Sequence, residues 1–237
     1  DFSRGDREVI EQLSKVARKM GFSKRKGKAA AKAGLAALRE FERTREERGR
    51  ELLNRIRDNN QIGVVILARA YMAQDSGANL GIAEQLSQLG VVPIPLDFLP
   101  LSSIDVKQYS DRPYWMYESK LIAGAAMVTS DPHLYGLILT NFGCGPNSFI
   151  LNTVEDIVGD KPLGQLEIDE HAAEAGIVTR LEAYVDTIKS HAQSMKPATT
   201  PAQYIYRGAS TVISSEKTLL LPRMCPHADI IAAAINV

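Results

Sequence analysis

Short apolar segments alternate with helical patterns from residue 60 onward, and this alternation limits the fold more than any other feature of the chain. Strands are predicted at 63–68, 91–96, 134–139 and 163–168. Helices are predicted between and after them, at 80–89, 115–129, 148–158 and 172–194. Buried strands separated by helices are typical of a parallel sheet that is covered on both faces. We therefore predict an α/β fold, a Rossmann-like or flavodoxin-like three-layer parallel sheet, with the second strand near an edge because it contains two prolines.

A helical lead-in is predicted at 1–58, before the α/β domain at 59–195. Its helices are expected at 7–20 and 28–57, with Ser23 as a capping residue between them. A linker and the start of a further strand–helix unit are predicted at 196–237. The first residue is not methionine and the last follows without a polar tail, so we expect a segment of a longer polypeptide.

The charge distribution restricts the classes of partner. Residues 1–58 hold 17 basic and 10 acidic side chains, whereas the remainder holds 11 basic and 18 acidic ones. A basic segment could suit an acidic partner or a nucleic acid. Glutamates interleaved at helical spacing favour a solvated helical face instead, so nucleic-acid binding is not expected. No apolar run is long enough to span a membrane and no secretory signal is present, which predicts a cytoplasmic protein.

Several common enzyme motifs are missing from the sequence. It contains no G-x-x-x-x-G-K-S/T phosphate loop, no G-x-G-x-x-G after a strand and no G-x-S-x-G nucleophile elbow. Its two cysteines, Cys144 and Cys225, are too few for a disulfide framework and cannot complete a metal site alone. A P-loop ATPase, a standard dinucleotide fold and a standard hydrolase are therefore disfavoured.

Cys144 lies on a turn between a predicted strand and a predicted helix, with Gly143 and Gly145 on either side. Glycines allow close approach of a ligand to the backbone, and the amides that open a helix favour a thiolate or another anion. Pro146 suits the first turn of that helix. The alternative interpretation is a free cysteine in a tight turn.

Other polar residues follow the predicted strands, where open parallel sheets bind their ligands. Arg69 could bind a phosphate or a carboxylate, or form a salt bridge with Asp97 or Asp169. His171 could carry protons beside Glu170, although carboxylates at a helix start also cap its amides. Asp97 is interpreted as part of the loop structure. Cys225 and His227 resemble a metal-binding pair only superficially.

Four segments together resemble the long CoA-substrate-specific enzyme activases. They are GVVILARAY at 63–71, NFGCGPNSF at 141–149, EIDEHAAEAGIVTRLE at 167–182 and LLLPRMCPH at 219–227. Proteins of this family join an ATP-hydrolysing activator to segments similar to the iron–sulfur subunits of 2-hydroxyacyl-CoA dehydratases. The sequence departs from the family at Ala68 and Ala70, where relatives tend to have Gly and Pro, and at Asn147, where Asp is frequent.

The resemblance implies low-potential electron transfer to a 4Fe-4S cluster, with Cys144 as one ligand. For the intact protein we further expect Glu170 and His171 as catalytic residues, and Gly143, Gly145, Asn147 and Arg69 as cofactor-binding residues, with Asp169 beside them. An ATP-hydrolysing activator domain, in the same or another chain, is the expected partner, and acyl-CoA is a candidate ligand. The companion cysteines would lie upstream of residue 1, so the segment alone is expected to lack the cluster and to be inactive.

Two alternatives remain open at this point. The chain could be a CoA- or nucleotide-binding α/β module without a redox role. It could also be a scaffold that docks an activator domain through the basic residues Lys24, Arg25, Lys26 and Lys28.

Overall fold

A computed structural model describes residues 5–110, 113, 115–141, 144–169 and 174–194. The helices are α1 (Asp6–Lys19), α2 (Lys24–Asp58), α3 (Ala70–Gln74), α4 (Ile82–Gln88), α5 (Met116–Ser130), α6 (Gly145–Val158) and α7 (Glu174–Ser194). The strands are β1 (Gly63–Leu67), β2 (Val92–Pro95), β3 (Leu134–Asn141) and β4 (Leu163–Ile168). Short 3-10 turns follow β2 at Leu96–Phe98, Leu101–Ser103 and Val106–Gln108. No helix in the described ranges is long and apolar enough to cross a membrane.

The four strands form one parallel sheet in the order β2-β1-β3-β4. Gly63 is in register with Val92 on one side and with Leu134 on the other, so β1 and β3 are the central strands. The predicted α/β fold with a parallel sheet is confirmed, and so is the edge position of β2. The chain first adds β2 on one side of β1 and then crosses to add β3 on the other side, which is the strand order of flavodoxin-like folds.

Helices cover both faces of the sheet, because all five residues of β1 are buried and neither face can be left in water. On one face the C-terminal part of α2 packs with α5 and α6 against β1 and β3. On the other face α3, α4 and α7 pack against the same strands and β4. The result is a three-layer arrangement with one apolar core on each side of the sheet.

The long helix α2 begins at Lys24, four residues before the predicted start. Ser23 caps it as expected, since its hydroxyl accepts a hydrogen bond of 3.3 Å from the Lys26 N–H. Gly27 is therefore inside the helix. A β-carbon added there would lie 2.9 Å from the Ala17 β-carbon, so the glycine allows α1 and α2 to cross closely instead of ending a helix.

One further expectation is wrong, and another is not tested by the described residues. Residues 70–74, predicted as loop, form the short helix α3. The strand expected at 218–221 and the helix expected at 226–236 lie outside the described residues.

Candidate functional site

The carboxyl ends of β1, β3 and β4 lie side by side at one edge of the sheet, because these strands are parallel neighbours. Arg69 follows β1, Asn141 ends β3 and Asp169 follows β4. The expected convergence of the three strand ends at one edge is therefore confirmed. The strand order reverses between β1 and β3, and open α/β sheets bind ligands in the crevice at this reversal.

Asn141 connects the ends of all three strands. Its side-chain oxygen accepts a hydrogen bond of 3.0 Å from the hydroxyl of Tyr71, in α3. Its side-chain nitrogen donates to the carbonyl of Ile168, the last residue of β4, over 3.3 Å. Asn141 thus fixes the edge around the strand reversal, while half of Tyr71 remains exposed at 52%.

Cys144 is the residue immediately before α6. Its N–H donates to the Asn141 carbonyl over 3.1 Å, and its own carbonyl accepts from the Ser148 N–H at 3.1 Å and from the Ser148 hydroxyl at 3.2 Å. Its thiol is free and half-buried. These bonds fix the backbone of Cys144 at the point where α6 begins.

The residues on either side of Cys144 differ in what the structure assigns to them. A β-carbon added at Gly145 would meet no heavy atom of the described residues within 4 Å, so packing against these residues does not require the glycine. Asn147 is buried, and its side-chain nitrogen donates to the Thr140 hydroxyl over 3.1 Å, which ties α6 to β3. Gly143 lies outside the described residues.

A 4Fe-4S cluster usually takes four cysteine thiolates. Within the described ranges, Cys144 is the single cysteine, and no group of three or more His, Cys, Asp or Glu side chains is placed to hold a metal ion. The described residues therefore supply one thiolate and do not fit a complete cluster. Cys225 and the proposed catalytic pair Glu170 and His171 lie outside these residues.

Arg69 is the residue immediately before α3, and Asp97, one of the two carboxylates considered as its salt-bridge partner, pairs with Lys120. The Nε atom of Arg69 is buried and has no hydrogen-bond partner within the described part of the chain. A buried donor without a partner is rare, because its desolvation is not offset by a hydrogen bond. The desolvation of the Arg69 Nε–H is therefore not offset by any described residue.

Asp97 is more than the loop residue that the sequence suggested, because its carboxylate holds a hydrogen-bonded cluster together. It is buried at 7% exposure, and its carboxylate accepts hydrogen bonds from Tyr117 at 2.7 Å and from Lys120 at 2.5 Å. Burial raises the pKa of Asp97, but the bonds from Lys120 and Tyr117 and the charges of Lys120 and Arg45 outweigh it and hold the pKa below its ordinary value. Burial, followed by the bond to Asp97, raises the pKa of Tyr117. The one feature of the sequence that could have indicated this role is the position of Asp97, two residues after the end of β2.

A shallow cleft of about 410 Å³ lies at the opposite edge of the sheet, next to the amino end of β3. It is lined by Arg57, Ser130, Asp131, Pro132 and His133. The Arg57 guanidinium already pairs with Asp131 there, at 2.7 Å. Ligands of open parallel sheets bind at the carboxyl ends of the strands, so this cleft is not the candidate site.

Comparison with known proteins supports the resemblance to CoA enzyme activases over part of the chain. Residues 1–99 match a family model described as the CoA enzyme activase uncharacterised domain. The match extends from α1 to the turn that contains Asp97 and ends before Cys144. It supports a CoA enzyme activase-like protein. Comparisons with curated proteins and with solved structures gave no significant match.

Proposed function

We propose that this chain is a segment of an activase-like protein in which Cys144 is one thiolate ligand of a 4Fe-4S electron-transfer site. An ATP-hydrolysing activator domain, in the same or another chain, would deliver the electron. The observation that carries the proposal is the position of Cys144: a free, half-buried thiol before α6, at the end of a central strand and beside the strand reversal. The family match over residues 1–99 supports the activase context.

The chain's own residues have defined parts in this proposal. The backbone bonds of Cys144 to Asn141 and Ser148 hold its sulfur at the edge of the sheet. The opening amides and the dipole of α6 stabilise negative charge at that position. The space at Gly145 that no described residue fills would admit a bulky ligand next to the thiolate. The remaining thiolates would come from residues beyond the described ones, since these supply only one.

The test is anaerobic iron–sulfur reconstitution of the full-length protein, with Cys144→Ala compared with Ser87→Ala, a control at an exposed position of α4. Iron content and the electron paramagnetic resonance signal after reduction are measured. We expect Cys144→Ala to lower both strongly, because a cluster that loses a thiolate is held poorly. A Cys144→Ala protein that keeps its full iron content and signal would remove Cys144 from the ligands and end the proposal.

A second candidate function is supported by Arg69. Its buried Nε without a partner suits a CoA or nucleotide phosphate in a binding module that has no redox role. Thermal stabilisation by CoA that persists in Cys144→Ala would favour this function, since binding would then not depend on the thiol.

A further inference from the structure

The hairpin formed by α1 and the N-terminal part of α2, residues 24–45, holds most of the large apolar side chains that the described part of the chain exposes. Six of ten such side chains lie there, with exposed fractions between 39% and 69%. They are Leu13, Val16, Met20, Phe22, Leu38 and Phe41. Exposed apolar side chains mark an interaction surface when they lie side by side, whereas scattered ones have no such meaning.

The exposed apolar side chains of the two helices lie along the same edge of the hairpin. The opposite edge is bridged by the ion pair of Glu11, in α1, with Lys28, in α2. With 3.6 residues per turn, the exposed apolar residues of α1 lie about 140–180° around that helix from Glu11. Those of α2 lie about 80–140° around it from Lys28. The two sets together form what we call the apolar edge: Leu13, Val16, Met20, Leu38 and Phe41.

The apolar edge is as long as a helix and has small residues at its middle. The helices run antiparallel, so the residues of α1 lie near the turn of the hairpin and Leu38 and Phe41 lie toward its other end. Residues 24–41 of α2 span about 27 Å. Ala30 and Gly34, between the two groups, are exposed, and a β-carbon added at Gly34 would meet nothing within 4 Å. Small residues between larger ones leave room for the side chains of another helix.

The charge of the hairpin indicates which kind of helix would fit. Residues 5–45 hold twelve basic and five acidic side chains. Lys19 and Lys26 lie one helical turn from Val16 and Ala30, are exposed and form no ion pair with a described residue. A second copy of the chain would bring the same positive charge against the apolar edge, and the two copies would repel each other. An acidic helix would be attracted instead.

We propose that the apolar edge is the docking surface for an amphipathic helix of a partner protein, with Asp and Glu side chains flanking its apolar stripe. Burial of the exposed side chains would supply the binding free energy, and the lysines beside the edge would orient the partner. The apolar edge contains no residue from the carboxyl ends of the strands, so this proposal does not depend on the iron–sulfur site.

The experiment measures the binding of three labelled peptides of about 18 residues to the full-length protein by fluorescence anisotropy. The first has Leu at alternating spacings of three and four, with Glu and Gln at the other positions. The second has the same composition in scrambled order, and the third has Lys in place of Glu. We expect the first peptide to bind at least about tenfold more tightly than the other two, because only it combines an apolar stripe with negative charge.

Variants then locate the binding surface. Val16→Gln and Leu38→Gln should each weaken binding of the first peptide about tenfold, because each removes an apolar side chain from the contact. Phe149→Gln is the matched control, since Phe149 is 77% exposed but lies on α6. Lys19→Glu should weaken binding more than Lys32→Glu, because Lys32 is exposed on α2 about 120° around the helix from Leu38.

Hydrogen exchange of the unmodified protein keeps the test decisive if a variant fails to fold. The first peptide should slow exchange in α1 and residues 24–45 and leave β3 and β4 unchanged. The proposal is overturned if the first and the scrambled peptide bind equally, or if the first does not bind at about 1 mM. It is also overturned if the protein instead binds phosphatidylserine vesicles, or forms a dimer, in a way that Val16→Gln abolishes. Cys144→Ala should bind the first peptide normally, which separates this result from failure of the iron–sulfur proposal.

Discussion

Asp97, which is buried, and Lys161, which is half-buried, show that the balance between burial and bonding partners decides the direction in which a pKa shifts. Burial opposes the charged form of both groups. In Asp97 two hydrogen bonds from Tyr117 and Lys120 outweigh burial, and the pKa falls. In Lys161, whose ammonium donates to the carbonyls of Val128 at 2.8 Å and Asp131 at 2.7 Å, burial dominates and lowers the pKa to about 8. The free energy of unfolding should therefore depend on Asp97 in the acid range and on Lys161 in the alkaline range.

Replacing Asp97 by Asn should destabilise the protein by about 3 kcal/mol at pH 7, because it leaves Lys120 without its counter-charge in a buried pair. The native pKa of Asp97 lies below its ordinary value of 3.8, so this contribution is present above pH 3.8 and is lost as the pH falls through the native value. When urea unfolding is measured from pH 7 down to acid pH, the free energies of unfolding of the unmodified protein and of Asp97→Asn should therefore converge. Asp156→Asn, at an exposed position of α6, is the control and should run parallel to the unmodified protein. A constant difference between the proteins would contradict the assignment.

Lys161→Met tests the opposite case. The pKa of Lys161 rises from about 8 in the folded protein to 10.5 on unfolding, so the unfolded chain binds more protons between these values. The unmodified protein should therefore gain stability relative to Lys161→Met as the pH is raised from about 8 to about 10.5, by about 2 kcal/mol. Urea unfolding at three alkaline pH values measures this. Lys107→Met, at an exposed position, should show no such gain, and a flat profile for Lys161→Met relative to the unmodified protein would refute the argument.

At the scale of elements, the sequence predicted the strands and the long helices well, since each has a periodicity that only one element satisfies. It failed at α3, because a helix of five residues is too short for a periodic pattern to appear. It also placed the start of α2 four residues too late, because glycine disfavours a helix interior by propensity, whereas Gly27 lies inside α2 where it allows close contact with α1. Periodicity shows which face of an element is buried but does not show how close its neighbour comes.

The candidate site was predictable only in part, because a sequence pattern also does not show which distant side chains meet. Cys144 and Arg69 follow strands, and the rule on strand ends finds them directly. Asp97 also follows a strand, but its partners Tyr117 and Lys120 are 20 and 23 residues further along the chain. No local pattern indicates that these three side chains meet, because their proximity arises from the packing of α5 against the turn that contains Asp97.

Gly49 shows what close packing of α2 requires. A β-carbon there would lie 1.6 Å from the backbone carbonyl oxygen of Phe98, which cannot move aside as a flexible side chain can. Gly49→Ala should therefore destabilise the protein by about 3 kcal/mol, although alanine is the better helix former. Gly34 is the matched control on the same helix, because a β-carbon there meets nothing within 4 Å. Gly34→Ala should stabilise by about 0.5–1 kcal/mol, so thermal unfolding should show shifts of opposite sign. Shifts of the same sign would mean that α2 does not pack on this turn at backbone distance.

At the scale of the whole molecule, α2 belongs to two different environments. Its C-terminal part, with Leu53 and Ile56, lies in the core between the sheet and α5. Its N-terminal part packs mainly on α1, through buried residues such as Leu35. Large apolar side chains that remain exposed are concentrated in this hairpin, at Leu13, Val16, Met20, Phe22, Leu38 and Phe41. The hairpin of α1 and the N-terminal part of α2 therefore buries less apolar surface than the sheet does, and the free energy that holds it closed should be smaller.

This difference predicts that the hairpin opens without unfolding of the sheet. Leu53→Ala should lower the free energy of global unfolding by about 3 kcal/mol and raise hydrogen exchange in β1 and β3, since it removes a core side chain. Leu35→Ala removes the same atoms from a buried position of the same helix, at 8% exposure against 3% for Leu53. It should raise exchange in α1 and residues 24–45 and leave β1 and β3 unchanged. If instead both variants raise exchange throughout by similar factors, the hairpin and the sheet unfold as one cooperative unit, and α2 transmits every loss of packing along its length.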